Sequence, residues 1–148
     1  MSGRTRGYAH RVDIAAGAAL VWKTLTDTAS LRRWCSADAR ISARPGGHFR
    51  AAIDRVTELE AHIDVLLPER RMRLIYLPAA QLPATGSAIV DDFILDSADA
   101  GKTVLRLLGS GYPTEHEWDP LYLRMRTGWE RAVARLKVLA EQTERASA

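Results

Sequence analysis

The sequence has a single cysteine, Cys35, among its 148 residues. One cysteine cannot form an intramolecular disulfide, and it leaves a structural metal site without a second thiolate. No stretch approaches the roughly 18 consecutive apolar residues of a membrane-spanning helix, and no apolar stretch follows the charged N-terminus to form a signal peptide. We therefore expect a soluble, cytoplasmic protein with no disulfide and no membrane partner.

Lysine is also scarce, since it occurs only at Lys23, Lys102 and Lys137. The net charge of +3 and the pI near 9.3 therefore come from arginine. The arginines are scattered among acidic and apolar residues, and a basic stripe with interleaved aromatic residues is absent, so we expect no nucleic-acid partner. The length and the apolar fraction of 47% suit one domain over residues 1–148, with an ordered core at about 8–142.

Recognisable catalytic motifs are missing as well. His10, His48, His62 and His116 are far apart and follow no metal-binding spacing. The chain has no Gly-x-Ser-x-Gly motif, no phosphate-binding glycine loop and no dinucleotide fingerprint. We predict no metal, no cofactor and no catalytic residue, and the sequence favours a protein without enzymatic activity over an enzyme.

Short-range patterns predict a β-rich chain with two short helices near its start. Residues 8–14 alternate as a strand, and residues 18–25 place apolar side chains at helical spacing. Asp27 is predicted to cap a second short helix. Further strands are predicted at 48–53, 56–67, 71–77, 87–96 and 103–109, with a hairpin turn at Pro68-Glu69-Arg70, a second connection at 97–102 and a loop over 78–86.

The last element has the clearest pattern. Asp119 followed by Pro120 is typical of an N-cap and a first helical turn, and apolar residues then recur every three or four positions from Leu121 to Leu139. The pattern predicts a helix from Asp119 to about Glu141, roughly 30 Å long at 1.5 Å per residue, with the remaining residues frayed. Without any βαβ alternation, an antiparallel sheet folded around this helix is expected.

Four short motifs occur in order along the chain. They are Val21-Trp22-Lys23-Thr24-Leu25-Thr26-Asp27, Leu31-Arg32-Arg33-Trp34, Arg44-Pro45-Gly46-Gly47-His48-Phe49 and Gly128-Trp129. Together they resemble the START-like (SRPBCC) superfamily, and within it the branch similar to the activator of heat-shock protein 90 ATPase. The resemblance implies an α+β helix-grip fold, with two short helices after the first strand. A curved antiparallel sheet of six to seven strands would wrap around the long C-terminal helix and leave a cavity between them.

The resemblance also implies a set of ligand-binding residues facing that cavity. Trp34, Phe49, Tyr122 and Trp129 are expected to converge there from different elements, and plain core packing is the alternative for each. Two departures from the relatives make the expected pocket more apolar, namely Cys35 in place of a second aromatic residue and the strand end at 107–111. The full predicted set is Trp34, Phe49, Tyr76, Phe93, Trp118, Tyr122, Met125 and Trp129.

Charged residues within the strands leave two alternatives open. Adjacent strand residues point to opposite faces, so at most one of Asp91 and Asp92 could enter a pocket. A carboxyl group placed there would have a perturbed pKa and could act as a general base, whereas an exposed one would be solvated or paired with arginine. Arg50, Arg73 and Arg106 are expected to point to water, and an inward arginine could instead bind a ligand carboxylate.

Three functions follow from the resemblance. The first is binding of a small hydrophobic or amphipathic molecule between the sheet and the C-terminal helix, by a monomer or a simple homodimer. The alternatives are an enzyme similar to polyketide aromatase/cyclases and an interaction domain similar to regulators of heat-shock protein 90. The identity of the ligand is left open, because the shape of the pocket depends on side chains from every strand.

Overall fold

A computed structural model describes residues 3–54, 57–78, 83 and 86–147. Within these residues, seven strands form one antiparallel sheet in the order β1-β7-β6-β5-β4-β3-β2, which confirms the predicted α+β helix-grip class. The elements are β1 (Thr5–Ile14), α1 (Ala18–Thr26), α2 (Thr28–Trp34), β2 (Arg40–Ile41), β3 (His48–Ala52), β4 (Glu58–Leu67), β5 (Arg71–Tyr76), β6 (Val90–Asp99), β7 (Lys102–Pro113), a 3-10 helix (His116–Trp118) and α3 (Asp119–Ser147).

The curved sheet has one face against α3 and one face towards water. Along β7, Leu105 and Leu107 are buried, whereas Arg106 between them pairs with Asp96 on the outer face. This alternation follows from the two-residue period of a strand. The inner face and the apolar stripe of α3 form the core, with buried residues at Leu121, Tyr122, Met125, Trp129, Ala132, Val133, Leu136, Leu139 and Ala140 of the helix.

The two ends of α3 differ from the prediction. The 3-10 helix runs directly into α3, so Asp119 already has helical backbone angles (φ −57°, ψ −47°), and its carboxylate pairs with Arg6 instead of capping the helix. At the other end, α3 continues to Ser147, and the predicted fraying after Glu141 is wrong. Glu141 accepts a hydrogen bond from the Ala15 N–H at 2.8 Å, which fastens this end of the helix to the residue that follows β1.

The two short helices form as predicted. The Asp27 carboxylate accepts a hydrogen bond from the Ser30 N–H at 3.0 Å and caps α2. The indole N–H of Trp34 donates to the Thr24 carbonyl at 2.8 Å, which fastens the end of α2 to α1. No helix of the described residues is long and apolar enough to cross a membrane.

The hairpins confirm the predicted turns with shifted strand ends. β4 and β5 meet at Pro68-Glu69-Arg70, where Glu69 has a positive φ of 66°. β7 continues to Pro113 instead of ending at Gly109, because its end pairs with an early start of β1 at Thr5. The connection predicted at 97–102 is only two residues long, because β6 extends to Asp99 and β7 begins at Lys102. Most of the predicted loop over 78–86 lies outside the described residues.

Candidate functional site

Aromatic rings from three other elements surround Trp129 in the middle of α3. The indole is fully buried, and the Phe93 ring of β6 meets it edge-on at a centroid distance of 5.4 Å. Phe49 of β3 and Trp34 of α2 each lie 6.4 Å from it. We call these four residues the Trp129 group. Three of the four residues expected to converge, Trp34, Phe49 and Trp129, thus lie together between the sheet and α3.

The fourth, Tyr122, lies about two turns before Trp129 on α3, in a group of tyrosines. Its ring centroid is 5.6 Å from that of Tyr112 and 6.3 Å from that of Tyr8. Its hydroxyl donates to the Gly7 carbonyl at 2.6 Å, and the Arg6 guanidinium lies 4.4 Å from its ring centroid. The other members of the predicted set, Tyr76, Trp118 and Met125, are all buried.

A buried carboxyl group joins the aromatic and tyrosine groups. Asp91 of β6 is fully buried, and its two oxygens accept hydrogen bonds from the hydroxyls of Tyr8 (2.5 Å) and Tyr76 (2.6 Å). The Tyr112 hydroxyl lies 3.3 Å from that of Tyr8. The Trp129 N–H has no well-formed hydrogen bond in the described residues, although it lies close enough to Asp91 to lower the pKa of that carboxyl. We call these five residues the Asp91 cluster.

The electrostatics of the Asp91 cluster follow from burial, with no cation paired to Asp91 among the described residues. Burial raises the pKa of Asp91 from 3.8 to about 7, although the hydrogen bonds from Tyr76 and Tyr8 favour the charged form and act in the opposite direction. Burial also raises the pKa of Tyr8, Tyr76 and Tyr112 well above its usual value, and the Asp91 charge adds to each shift. Near neutral pH, Asp91 can therefore take up or release a proton while the hydroxyls stay protonated.

The neighbouring acid has the opposite environment. Asp92 lies on the outer face, where its carboxylate binds Arg71 through two hydrogen bonds of 2.9 and 2.7 Å. Only one of the two adjacent acids, Asp91, enters the interior, as expected. The strand arginines point outward as expected, and the alternative of an inward arginine is wrong: Arg50 pairs with Glu58, Arg73 with Asp64 and Arg106 with Asp96.

Openings lie along both sides of α3. The first, here called the β3 groove, has a volume of about 660 Å³ and separates α3 from the segments 35–36 and 52–54. The second, here called the β1 recess, has a volume of about 450 Å³ and lies between residues 7–10 and α3. The face of α3 in the β3 groove consists of Leu123, Arg124, Thr127, Gly128, Arg131 and Arg135, and its face in the β1 recess consists of Tyr122, Arg126, Thr127 and Glu130.

Glycine allows the close packing that forms the floor of the β3 groove. A Cβ atom on Gly128 would lie 2.6 Å from Cγ1 of Ile53, so α3 can approach the end of β3 only with glycine here. Cys35, at the C-terminus of α2, forms part of the wall. Burial raises the pKa of its thiol to about 12, so the thiol is neutral and unreactive at physiological pH.

His10 is a feature of the β1 recess that sequence reasoning did not identify beyond the search for metal ligands. Its ring stacks on Tyr8 at a centroid distance of 5.2 Å, and Nε2 lies 2.8 Å from the Arg126 carbonyl oxygen. Because a carbonyl oxygen only accepts, Nε2 is the donor in this bond, and Nδ1 lies 3.8 Å from Oε2 of Glu130. The described residues contain no group of three His, Cys, Asp or Glu side chains that could hold a metal ion.

Tyr8 and Tyr112 were also missing from the predicted site. They lie on β1 and β7, far apart in sequence, and meet because these strands are neighbours in the sheet. A local signal does exist in Gly109, which stands opposite Tyr8 in the strand register. A Cβ atom on Gly109 would lie 2.3 Å from the Tyr8 ring, so the tyrosine ring lies flat over a position that only glycine can occupy.

An antiparallel sheet that grips a long terminal helix, with aromatic and polar side chains facing the helix, defines a START-like helix-grip protein. The family model described as activator of Hsp90 ATPase homolog 1-like protein matches residues 15–141. The chain therefore belongs to this family.

Solved structures share the fold at low sequence identity. Protein MLL2253 from Mesorhizobium loti is 22% identical with a TM-score of 0.78, and the match covers 93% of this chain and 98% of that one. The Aha1 dimer from Colwellia psychrerythraea is 20% identical with a TM-score of 0.72 over 92% and 96% of the two chains. DynU16, a protein of the dynemicin biosynthetic locus, is 18% identical with a TM-score of 0.70, over 93% of this chain and 48% of that one. No curated protein matches the sequence significantly.

Proposed function

We propose that the protein binds a small hydrophobic or amphipathic molecule between the sheet and α3, with the β3 groove as its entrance. The observation that supports this most directly is the position of the groove beside the Trp129 group, since Gly128 and Ile53 form its floor. Its volume of about 660 Å³ falls in the range of about 300–1,000 Å³ that is typical of small-molecule sites.

The eight residues of the predicted set divide between three tasks in this proposal. None of the eight is among the described residues that line the β3 groove. Trp34, Phe49, Phe93 and Met125 are buried in the core behind it and would offer apolar surface to a ligand body that passes the groove, and Trp118 closes the interior beside the start of α3. Tyr76, Tyr122 and the indole N–H of Trp129 offer polar contacts. The Trp129 N–H is buried and makes no well-formed hydrogen bond with the described residues, so a ligand oxygen that accepts from it would be favoured. We propose that the protein is a monomer or a simple homodimer.

Two exposed apolar residues of α3 provide a matched test of the groove. Leu123 lies in the β3 groove and is 49% exposed, whereas Val138 lies outside it and is 52% exposed. Replacing each by glutamate leaves the core intact. We expect Leu123→Glu to weaken binding of the neutral probe Nile red by roughly tenfold, because a charge replaces apolar contact surface, and Val138→Glu to have no effect. Fluorescence titration of the probe measures both.

The outcome that would contradict ligand binding is also clear. If Nile red emission does not respond to the wild-type protein, or if both variants weaken its binding equally, the β3 groove is not a ligand site. Tryptophan emission provides an independent measurement, because Trp34 and Trp129 lie beside the groove floor. Emission that stays constant during a titration with saturating probe would count against the proposal in the same way.

A second candidate function is proton transfer on a bound carbonyl compound, and the link between Asp91 and the β1 recess favours it. Tyr8 lines the recess and donates to Asp91 behind it. The Tyr8 hydroxyl would protonate the carbonyl oxygen and be reprotonated by Asp91, while His10 Nδ1 would take the proton from the adjacent carbon. The ketone becomes an enol, and the reverse steps restore it, so no oxidant or cofactor is needed.

Exchange of the protons next to the carbonyl of 2-tetralone in D2O tests this second candidate. We expect the wild-type protein to accelerate the exchange, as followed by proton NMR, and Tyr8→Phe to reduce the acceleration by roughly tenfold or more. Val138→Glu again serves as the control that keeps full activity. Exchange at the rate of the buffer alone, or undiminished exchange with Tyr8→Phe, would rule out the proton-transfer function and leave ligand binding untouched.

A further inference from the structure

We infer that the ligand of the β3 groove carries an anionic group beside its apolar body, and that Arg131 binds this group. The inference rests on the proposed function, because it specifies the chemical class of the molecule that enters the same groove. It comes from the uneven distribution of charged side chains along the groove walls of this chain.

The charges in the β3 groove are mostly positive. Three arginines of α3 line it, and Asp54 provides the only carboxylate among the lining residues that the structure describes. The Arg124 Nε atom lies 3.9 Å from Asp54 Oδ2, so these two charges largely offset each other. The Cys35 thiol, with its pKa raised to about 12 by burial, adds no negative charge. Among the described lining residues, the groove therefore keeps two positive charges, those of Arg131 and Arg135.

The two remaining arginines differ in their contacts. The Arg135 Nε atom donates to the Trp34 carbonyl at 2.8 Å, so this side chain holds α2 against α3. Arg131 is exposed and has no hydrogen-bond or ion-pair partner within the described part of the chain. A planar guanidinium with free donors matches a carboxylate or a phosphate group, which it can bind through two parallel hydrogen bonds.

The apolar part of the groove lies on one side of Arg131. Leu123 precedes Arg131 by eight positions, which is about 12 Å along the axis of a helix. Gly128 lies between them, and Ile53 packs against it from the opposite wall. A molecule whose anionic group contacts Arg131 can therefore extend an apolar chain along α3 towards Leu123, over the floor formed by Gly128 and Ile53. A small amphipathic acid has this shape.

Dodecanoate and dodecanol, both kept below the concentration at which they aggregate, distinguish the charge from the apolar chain. We expect dodecanoate to bind roughly tenfold more tightly at low ionic strength, as a charge-assisted bidentate contact allows. The preference should shrink as salt is added, because the groove is open to solvent and its charges are screened. Displacement of Nile red measures both affinities.

Arg131→Gln should remove most of the preference for dodecanoate and leave dodecanol binding unchanged. Arg145→Gln is the matched control, since Arg145 lies on the same helix but is not among the described residues that line the β3 groove or the β1 recess, and it should keep the full preference. Equal affinities for dodecanoate and dodecanol would overturn the inference and leave the proposed function standing. A preference that survives in Arg131→Gln would overturn it too, whereas failure of both compounds to bind would remove the proposed function itself.

Discussion

Replacing Asp91 by asparagine is expected to abolish the pH dependence of stability that this carboxyl causes in the wild-type protein. That dependence extends from pH 3.8, the ordinary pKa of an aspartate side chain, to about pH 7, the pKa of Asp91 in the folded protein. Burial raises the pKa of this carboxyl in the folded state, so the folded protein holds a proton that the unfolded chain has already released in this interval. The free energy of unfolding of the wild type therefore falls as the pH rises, and the fall is complete above about pH 7.

The expected size of this effect is large for a single group. A shift of about three pKa units corresponds to about 4 kcal/mol, at about 1.36 kcal/mol for each unit. Asparagine has the shape of protonated aspartic acid and can bond to the hydroxyls of both Tyr8 and Tyr76, but it cannot become charged. At pH 8 the Asp91→Asn variant should therefore be more stable than the wild type by up to about 4 kcal/mol, and near pH 4 the two should be similar.

Urea unfolding of both proteins at several pH values measures the difference. Asp13, Asp119 and Glu141 have lowered pKa values because of their hydrogen bonds to Arg11, to Arg6 and to the Ala15 N–H, respectively. They make stability fall as the medium becomes more acidic, but they are present in both proteins and leave the difference between them unchanged. If the free energy of unfolding changed with pH in the same way in the wild type and the variant, Asp91 would not be a buried acid with a raised pKa.

The architecture could be predicted from the sequence because its signals are local. The apolar spacing from Leu121 to Leu139 gives a helix long enough to lie across the sheet, and Pro68-Glu69-Arg70 ends one strand and begins the next. The end of α3 was less predictable. The residues after Glu141 have few apolar positions, and what holds this end is a hydrogen bond from the distant Ala15 N–H.

The candidate site was predictable only in part, because its contacts also join residues that are distant in the sequence. The two-residue period of a strand indicates that either Asp91 or Asp92 can face the core, but the register of β6 in the sheet decides which one does. The partners of Asp91 follow from the order of the strands. Tyr8 precedes Asp91 by 83 positions and reaches it across β7, a contact that no spacing in the sequence reveals.

Gly109 offers a second large and specific effect. Its neighbour across the sheet, Tyr8, lies over it so closely that a Cβ atom would be 2.3–2.6 Å from three ring atoms. The ring cannot easily turn aside, because its hydroxyl is bonded to Asp91 in the interior. We expect Gly109→Ala to lower the free energy of unfolding by about 3 kcal/mol, the upper range for overpacking a core.

The same substitution should alter the titration of Asp91. Displacing the Tyr8 ring removes a hydrogen bond that favours the charged carboxylate, so the pKa of Asp91 should rise further and the fall in stability should move to higher pH. Gly101→Ala is the matched control, because the nearest atom to its added Cβ, Asp99 Oδ1, lies 3.9 Å away in an exposed turn. Urea unfolding across the same pH series should show little change for Gly101→Ala and both changes for Gly109→Ala. If Gly109→Ala were as stable as the control, the Tyr8 ring would not lie over β7, and the link from the β1 recess to Asp91 would be lost with it.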